Sequence, residues 1–370
     1  MAGAAAPGGD SGPSPRWVDL RQLAECAPID GLDADGTIVE PVWLLRLDGP
    51  VDEAVADAAA QAAPDAGRIL IGVATGALDP ALDPLVSALD LTLVPPGAET
   101  SRDRVAVPHP VTAAAELCRS VVANQQAATV LAGLLRWSGS LRVPDALDAE
   151  SLAYSTLLGG REFRRWLDRR GHRPVPPPAA GEPVLVVRDG DELRITLNRP
   201  ERRNAYGREV RDGLVAALEI AVLDPGVARV VLDGAGPLFS AGGDLGEFGT
   251  APDLATAHVV RTRGGAGRLL HRLADRVESR VHGHCVGAGI ELPAFAARVV
   301  AHGAATFRLP EVAMGLVPGA GGTVSIPRRI GRWRTLYLAL TGRPLDAVTA
   351  LRWGLVDAVE PVNAESGVPR

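Results

Sequence analysis

The sequence predicts an α/β fold in which the strands are largely parallel. Short apolar segments alternate with amphipathic segments along most of the chain, and this alternation is typical of successive strand–helix units. Hydrophobic residues make up 46% of the 370 residues and charged residues 22%, so a packed core is expected. Two glycine-rich turns also follow predicted strands and precede predicted helices. The length indicates two domains, or one large domain with an appendage.

The composition excludes several classes of function. The net charge of −6 argues against a general nucleic-acid-binding protein, whose surface would be basic. The chain contains no lysine, so it cannot use a Schiff-base lysine, a pyridoxal-phosphate lysine or a P-loop lysine. Its three cysteines, Cys26, Cys118 and Cys285, are too few and too scattered for a disulfide framework or a zinc cluster. We therefore expect no metal site and a reducing compartment.

The sequence also predicts a cytoplasmic protein with no membrane partner. The N-terminal residues show no basic segment followed by an apolar stretch, so they do not resemble a secretory signal. No apolar run approaches the length of about 20 residues that a helix needs to cross a bilayer. We therefore expect neither a nucleic acid nor a membrane as a partner.

Changes in composition divide the chain into four predicted regions. Residues 1–35 form a poorly ordered leader whose start is rich in glycine, alanine and proline. Residues 36–171 form an N-terminal module, residues 172–182 a proline-rich linker, and residues 183–370 a C-terminal domain. The linker contains three consecutive prolines, which form a stiff, polyproline-like spacer.

The N-terminal module begins with strands and helices in alternation. Apolar runs that end in turns predict strands, and an amphipathic segment between them predicts a helix. The strands lie within Val39–Gly49, Arg68–Val73 and Leu89–Val94, and the helix lies within Val51–Ala63. The pattern then becomes helical from Val111 to Trp137 and over Ala146–Arg170, where Asp148 or Ser151 is the expected N-cap.

The C-terminal domain begins with a predicted hairpin. Two alternating runs flank Asp189, Gly190 and Asp191, which is a hairpin signal. Helices and buried strands then alternate to the end of the domain. The helices lie within Gly207–Val222, Asp253–Ala274, Gly331–Thr341 and Asp346–Gly354, and the strands within Ala228–Leu232, Val277–His282 and Arg298–Ala301.

Two glycine-rich turns, GAGPLFSAGGDL and GHCVGAGIEL, carry the first functional signal. Glycines let backbone N–H groups approach a ligand closely, and the start of a helix adds further free N–H groups. Neither turn has the G-x-G-x-x-G pattern, so we discount a dinucleotide cofactor. The two turns together can supply one N–H each to a single oxyanion. The alternative is that both are ordinary tight connections between strand and helix.

Two carboxylates accompany these turns. Glu291 lies in the first turn of the helix that the second glycine turn begins, and Glu311 follows a proline among apolar residues. An apolar setting raises the pKa of a carboxyl group, which can then act as an acid or a base. Such a pair beside an oxyanion site suits proton transfer next to a carbonyl, or the addition of water to a conjugated carbonyl. Alternatively, Glu291 is a helix-start residue favoured by the helix dipole, and Glu311 is a surface charge.

Five segments in order make the C-terminal domain resemble the crotonase (enoyl-CoA hydratase/isomerase) superfamily. They are TLNRPERRNAYG, FSAGGDL, GAGIELP, FRLPEVAMGLVPGAGGT and LTGRPLDAVTALRWGLVDAV, and the resemblance covers residues 183–359. The resemblance implies a core built as a ββα spiral, to which the N-terminal α/β-helical module is an addition. It also implies an enzyme that binds acyl-CoA thioesters and stabilises their enolates.

The resemblance assigns roles to individual residues. It implies that Gly243 and Ala288 donate the two N–H groups of the oxyanion hole. It implies that Glu291 and Glu311 are the two hydratase glutamates, with Glu311 exchanging protons with the substrate and Glu291 orienting and deprotonating water. The positions implied to contact CoA are Asn204, Ala205, Gly242 and Leu245.

The reaction that the resemblance implies first is the hydration of a trans-2-enoyl-CoA in fatty acid metabolism. Another reaction of the family, isomerisation of an enoyl-CoA or oxygenation of an aryl-acetyl-CoA, is the first alternative. A non-catalytic acyl-CoA-binding or assembly subunit is the second. The resemblance implies no cofactor besides the CoA of the substrate, and a homo-oligomer such as a trimer.

Three residues depart from the usual pattern of the family. Gly246 stands where a cation near the CoA phosphates is common, and Ala297 stands where an aspartate is common. Arg308 replaces a glycine close to the predicted site, where it would pair with Glu311 or contact the acyl group. These changes bear on the acyl specificity.

The C-terminal domain also lacks the tail helices that family members carry after the segment GLVDAV. Residues 111–171 of the N-terminal module resemble that tail, and the strands before them suggest a degenerate crotonase-like module without catalytic residues. A core without its tail would expose a large apolar patch, which soluble monomers rarely tolerate. We therefore predict that these helices pack on the catalytic domain, of the same chain or of a neighbour.

Overall fold

The structure is a computed structural model that describes residues 15–25, 31–175 and 177–361. The described strands form three sheets, of five, six and three strands, and confirm the predicted α/β fold. The strands are β1 (Arg16–Val18), β2 (Val42–Arg46), β3 (Ile69–Val73), β4 (Leu91–Val94), β5 (Arg104–Ala106), β6 (Val184–Asp189), β7 (Glu192–Leu197), β8 (Arg229–Gly234), β9 (Val277–Val281), β10 (His284–Val286), β11 (Arg298–His302), β12 (Thr306–Arg308), β13 (Leu345–Asp346) and β14 (Ala358–Glu360).

The helices cover the sheets and join the two halves of the chain. They are α1 (Leu20–Ala24), α2 (Glu53–Ala62), α3 (Asp83–Ala88), α4 (Pro110–Ala123), α5 (Gln125–Ser138), α6 (Val143–Leu158), α7 (Arg161–Arg170), α8 (Arg208–Leu223), α9 (Leu254–Gly264), α10 (Gly267–Arg272), α11 (Ala288–Glu291), α12 (Gly322–Thr341) and α13 (Ala347–Trp353). Helix α12 is kinked at Gly331, whose φ is +85°. The sequence pattern predicted only the part of α12 that follows this kink.

The five-stranded sheet of the N-terminal half is wholly parallel, in the order β1-β2-β3-β4-β5. Side chains alternate between its two faces. In β2, Val42 and Leu44 join the core shared with α4 and α5, whereas Trp43 and Leu45 join the core formed with α2 and α3. Helices cover both faces, which explains why its central strands read as continuous apolar runs.

The six-stranded sheet of the C-terminal half has the order β14-β11-β9-β8-β7-β6. The hairpin β6–β7 is antiparallel, as predicted, and the other pairs are parallel. Strands β10, β12 and β13 form a separate small sheet, in which β10 pairs in parallel with β12. This small sheet places the turn after β10 beside the segment that follows β12.

Three predicted helical segments are interrupted. The segment predicted over Ala146–Arg170 divides into α6 and α7 at Gly159 and Gly160. The segment predicted from Val111 to Trp137 is two helices, α4 and α5, because Asn124 between them has φ −141° and ψ 62°. The helix predicted over Asp253–Ala274 likewise divides into α9 and α10 at Gly265, whose ψ is 141°. The pattern of apolar residues predicted none of these interruptions.

The predicted N-cap of the next helix is wrong. Helix α6 begins at Val143 with Pro144 in its first turn, where a proline is tolerated because the N–H there has no partner within the helix. Asp148 lies inside the helix and pairs with Arg268 at 2.5 Å, and Ser151 bonds to α9. Both side chains therefore join elements instead of capping one.

Part of the predicted leader is folded. Strand β1 pairs with β2, with Trp17 opposite Leu44, and Leu23 in α1 is fully buried. The prediction of a poorly ordered leader is therefore wrong for residues 16–24. Residues 1–14 and 26–30 of that leader, which include Cys26, and Pro176 of the linker lie outside the described residues.

Helices α4–α7 pack on the C-terminal half, as the sequence predicted. The Ser138 hydroxyl at the end of α5 donates to the Thr323 carbonyl at 2.7 Å, and the Ser155 hydroxyl of α6 donates to the Leu254 carbonyl at 3.1 Å. The apolar side chains of these helices belong to the same core as those of the six-stranded sheet. The two halves thus share one continuous core.

Candidate active site

The two glycine-rich turns lie side by side. The Val286 N–H donates to the Ser240 carbonyl at 3.1 Å, which fastens the end of β10 to the first turn. Gly242 has φ +86°, and a side chain on it would lie 2.6 Å from the Val286 carbonyl oxygen. A side chain at Gly289 would collide with the Ser240 carbonyl. Only glycine at these positions allows so close an approach.

This approach brings Gly243 and Ala288 into the wall of one cavity of about 570 Å³. Ala288 is the first residue of α11, a position whose N–H has no partner within a helix. Among the hydrogen bonds of the described residues, neither the Gly243 N–H nor the Ala288 N–H has an acceptor. The predicted donor pair therefore lines a single cavity with both N–H groups free.

Glu291, at the end of α11, lines the same cavity and is only 2% exposed. Its Oε2 accepts the N–H groups of Ala320 at 2.7 Å and Gly322 at 2.9 Å. Burial raises the pKa of Glu291 above its usual range, while these N–H donors oppose the rise. The carboxyl group is therefore held in one orientation with Oε1 left for another partner.

Glu311 follows Pro310 in a single 3₁₀ turn and also lines the cavity. Its Oε2 is buried, and it has no hydrogen-bond partner among the described residues. Burial first, and the charge of Glu291 second, raise the pKa of Glu311 well above its usual range. The raised pKa favours the protonated form of Glu311, which can donate a proton.

Both carboxyl groups converge on the backbone of Gly287. A side chain at Gly287 would collide with Oε1 of Glu311 and lie 3.5 Å from Oε1 of Glu291. The adjacent residue is Ala288, so its free N–H begins next to the meeting point of the two carboxyl groups. The structure thus brings together all four residues that the sequence predicted as catalytic or oxyanion-hole residues.

The four predicted CoA-contact positions, Asn204, Ala205, Gly242 and Leu245, do not line this cavity. Asn204 is fully buried, accepts the Arg199 N–H at 2.8 Å and donates to the Ala235 carbonyl at 2.8 Å. The Asn204 side chain therefore stabilises the turn between Arg199 and Asn204 and ties it to Ala235. A contact of these four positions with CoA, through the backbone in the case of Asn204, stays a prediction.

Arg308 lies outside the cavity, which corrects its predicted place in the acyl pocket. Its side chain is exposed at the end of β12 and its Nε donates to the Gly342 carbonyl. Within the described ranges it forms no ion pair with Glu311, although its charge weakly lowers the pKa of that residue. The backbone carbonyl of Arg308 instead accepts the Gly287 N–H at 2.9 Å and so helps to fix the second turn.

Sequence reasoning missed two residues of α6. Glu150 is only 2% exposed and accepts the N–H groups of Gly321 at 2.7 Å and Thr323 at 2.9 Å. Tyr154 lines the cavity, and its ring packs so closely on Gly319 that a side chain there would collide with it. The sequence offered no distinctive signal for Glu150, because Asp145 and Asp148 lie in the same helix.

The rest of the cavity wall is largely apolar and comes from both halves of the chain. Three of its apolar side chains belong to α6 and α7 and three to the C-terminal half: Leu158, Phe163 and Leu167, and Phe248, Ala257 and Val260. An apolar wall beside two carboxyl groups and two free N–H groups suits a ligand with an apolar chain next to a carbonyl group.

Across the described part of the chain, we find no helix with both the length and the apolar character to span a membrane.

A family model described as enoyl-CoA hydratase/isomerase matches residues 192–365. A probable enoyl-CoA hydratase of Mycobacterium tuberculosis is 34% identical over 184 residues, which are 49% of this chain and 70% of the relative. The 2,3-dehydroadipyl-CoA hydratase of Escherichia coli is 35% identical, over 48% of this chain and 69% of the relative.

Two further similarities concern the same half of the chain. The 1,2-epoxyphenylacetyl-CoA isomerase of Escherichia coli is 37% identical, over 44% of this chain and 64% of the relative. The crystal structure of an enoyl-CoA hydratase from Thermoplasma volcanium is 32% identical, covers 49% of this chain and 72% of that chain, and has a TM-score of 0.45. From the family match and the curated relatives, the chain belongs to the enoyl-CoA hydratase/isomerase family, the crotonase superfamily.

Proposed function

We propose that this chain adds water to the double bond of a trans-2-enoyl-CoA and forms a 3-hydroxyacyl-CoA. One observation carries the proposal: two buried carboxyl groups of raised pKa, Glu291 and Glu311, converge beside two free backbone N–H groups in one cavity. Hydration of a conjugated thioester needs a base for water, an acid for C2 and donors for the thioester oxygen. The cavity supplies each of them.

The thioester oxygen accepts the N–H groups of Gly243 and Ala288. Negative charge develops on this oxygen when water adds to C3, and the two donors stabilise the charge. Both donors are backbone groups held by the paired turns, so they need no reorganisation during the reaction. Removing one such donor typically costs about 3–4 kcal/mol of transition-state stabilisation.

The two glutamates divide the proton transfers. Glu291 in its ionised form holds the water through Oε1 and takes one of its protons as the water oxygen bonds to C3. Glu311, whose raised pKa favours the protonated form, gives its proton to C2, which completes the addition of one water molecule. This division follows from the contacts, because Oε2 of Glu291 is occupied by two N–H donors whereas Oε2 of Glu311 has no partner among the described residues.

The presence of both carboxyl groups favours hydration over the alternatives. An isomerase moves one proton between two carbon atoms and usually needs only one of the glutamates. A non-catalytic binding subunit has no need for two buried carboxyl groups whose pKa values are raised. No cofactor besides the CoA of the substrate, a homo-oligomer and a cytoplasmic location stay predictions.

The direct test follows the absorbance of the conjugated double bond in crotonyl-CoA and in longer enoyl-CoAs. The full chain should remove this absorbance, and the variant Glu311→Gln should be slower by about 10²–10⁴-fold because it has no proton to give. The variant Glu360→Gln, which changes an exposed ion pair with Arg280, should match the wild type. If wild type and Glu311→Gln hydrate every enoyl-CoA at the same rate, Glu311 is not the acid.

A further inference from the structure

We infer that Glu150, on α6 of the N-terminal half, is a positioning residue that fixes Glu291 through a loop that both carboxylates share. The inference rests on the proposed function, because Glu291 is assigned there as the base for water. It extends the reaction machinery to a helix that lies outside the segment matching the family.

The shared loop leads into α12. Its N–H groups alternate between the two carboxylates: those of Ala320 and Gly322 donate to Glu291, and those of Gly321 and Thr323 donate to Glu150. The Thr323 hydroxyl adds a third bond to Glu150, at 2.7 Å. Because four successive N–H groups are divided in this way, neither carboxylate can move without moving the donors of the other.

Close packing on both sides also keeps the backbone of this loop from shifting. A side chain at Gly322 would lie 2.6 Å from Cγ of Glu291, and Gly321 has φ +106°, which favours glycine. On its other side, the ring of Tyr154 packs directly on Gly319. Helix α6 thus holds this loop at two points, by the carboxylate of Glu150 and by the ring of Tyr154.

The two carboxylates also act on each other electrostatically. Burial first, and the charge of Glu291 second, raise the pKa of Glu150, and the interaction is mutual because a charge on either group disfavours a charge on the other. Among the described residues no cation forms an ion pair with Glu150. The other titratable or charged groups around it, from the neighbouring helices and turns, are Glu311, Tyr154, Tyr206, Arg211, Arg261 and Arg268.

A purely structural role for Glu150 is the competing explanation, since a buried carboxylate at the start of a helix stabilises the fold. The two explanations differ in what they predict for the reaction. A structural role predicts a loss of stability alone. A positioning role predicts a fall in kcat and a change in the pH at which Glu291 loses its proton.

The test measures pH profiles of kcat and KM for the full-length wild type, Glu150→Gln and Glu150→Asp. Glutamine keeps the shape and one acceptor oxygen but removes a carboxyl group that competes with Glu291 for ionisation. The acid limb of the kcat profile should therefore move to lower pH, and kcat should fall by about 100-fold with little change in KM, because the base is misplaced. Aspartate keeps the carboxyl group, so the acid limb of its kcat profile should match that of the wild type while kcat falls.

Glu162→Gln is the matched control. Glu162 is also a buried carboxylate of the N-terminal half, and it accepts the N–H groups of Gln126 and Ala127 at the start of α5. This variant should lose stability and keep the pH profile of the wild type. If Glu150→Gln also keeps that profile, or loses no more kcat than Glu162→Gln, the positioning role is wrong.

A measurement without turnover separates this inference from the proposed function. Infrared difference spectra of the carboxyl C=O stretch, recorded against pH and compared with Glu291→Gln, follow the protonation of Glu291 directly. The titration should lie at lower pH in Glu150→Gln than in the wild type. A shift in a protein that hydrates no enoyl-CoA would overturn the proposed function alone, whereas an unchanged titration overturns the coupling.

Discussion

The N-terminal and C-terminal halves both cover a largely parallel sheet with helices, yet they differ in the turns at the ends of their strands. In the C-terminal half, glycines after β8 and β10 let two turns approach each other, and the N–H groups of Gly243 and Ala288 have no acceptor among the described residues. In the N-terminal half, the loop after β3 is tied down instead, since the Thr75 N–H donates to Asp48 at 2.8 Å. The comparison teaches that the alternation of strands and helices produces the sheet, whereas the glycine turns produce the site.

A second contrast lies within the N-terminal half. Its sheet has a core of its own with α2 and α3, but α4–α7 share their core with the C-terminal half. Helix α6 even contributes Glu150 and Tyr154 to the candidate site. By sequence these helices belong to the first half, and by packing they belong to the second.

The largest expected effect comes from removing that shared layer. A chain that begins at Gly181 lacks α4–α7 and exposes the apolar surface that these helices cover, so it should aggregate or lose all activity. Solubility, circular dichroism and hydration rate are the measurements.

Supplying residues 1–180 as a separate chain is the control, and it should restore soluble, active protein. A chain from Gly181 that is soluble, stably folded and as active as the full chain would show that the helices are not part of the catalytic unit.

The next effect concerns the free N–H of the second turn. Ala288 is the first residue of α11, a position where proline fits a helix but has no N–H to donate. Ala288→Pro should therefore lower kcat by about 10²–10³-fold.

Ala288→Gly keeps the N–H and should have a small effect in the same assay. Comparable losses in the two variants would mean that packing around the methyl group matters there, and the contrast between free and tied turns would no longer explain the site.

The smallest effect is on stability and distinguishes the buried acids of the site from ordinary surface acids. The pKa of Glu311 is raised above the usual 4.5, so the folded state binds its proton more tightly than the unfolded state. Stability is therefore lost as the pH rises above the pKa of the unfolded state, and glutamine removes this loss. Glu311→Gln should have a higher Tm than the wild type at pH 8 and a similar Tm near pH 4, as measured by calorimetry.

The exposed acid Glu360 is the comparison for that experiment, and Glu360→Gln should not raise the Tm at pH 8. If the Tm difference between Glu311→Gln and the wild type is the same at both pH values, the Glu311 carboxyl is not buried as described.

Sequence patterns predicted those parts that depend on local order. Strands β2, β3 and β4 read as continuous apolar runs, and the turns with Gly243, Ala288, Glu291 and Glu311 follow family motifs. Strands β10 and β12 were missed because three residues show no period.

Contacts between residues that are distant along the chain could not be predicted from local sequence patterns either. Glu150 reaches a loop 171 residues further along the chain, and nothing near it in the sequence shows that partner. The side chain of Arg308 was placed wrongly for a similar reason, since a position next to Glu311 along the strand does not show which way the side chain turns.

The order of the shared layer along the chain has a consequence for synthesis. Ser138 meets Thr323 across 185 residues, so α4–α7 leave the ribosome long before the sheet they cover exists. Domains generally fold as units during synthesis, and apolar surface that waits for a partner invites aggregation. The early five-stranded sheet offers α4 and α5 an interim partner through Val42 and Leu44. The N-terminal sheet can therefore cover apolar side chains of α4 and α5 before the C-terminal half has been synthesised.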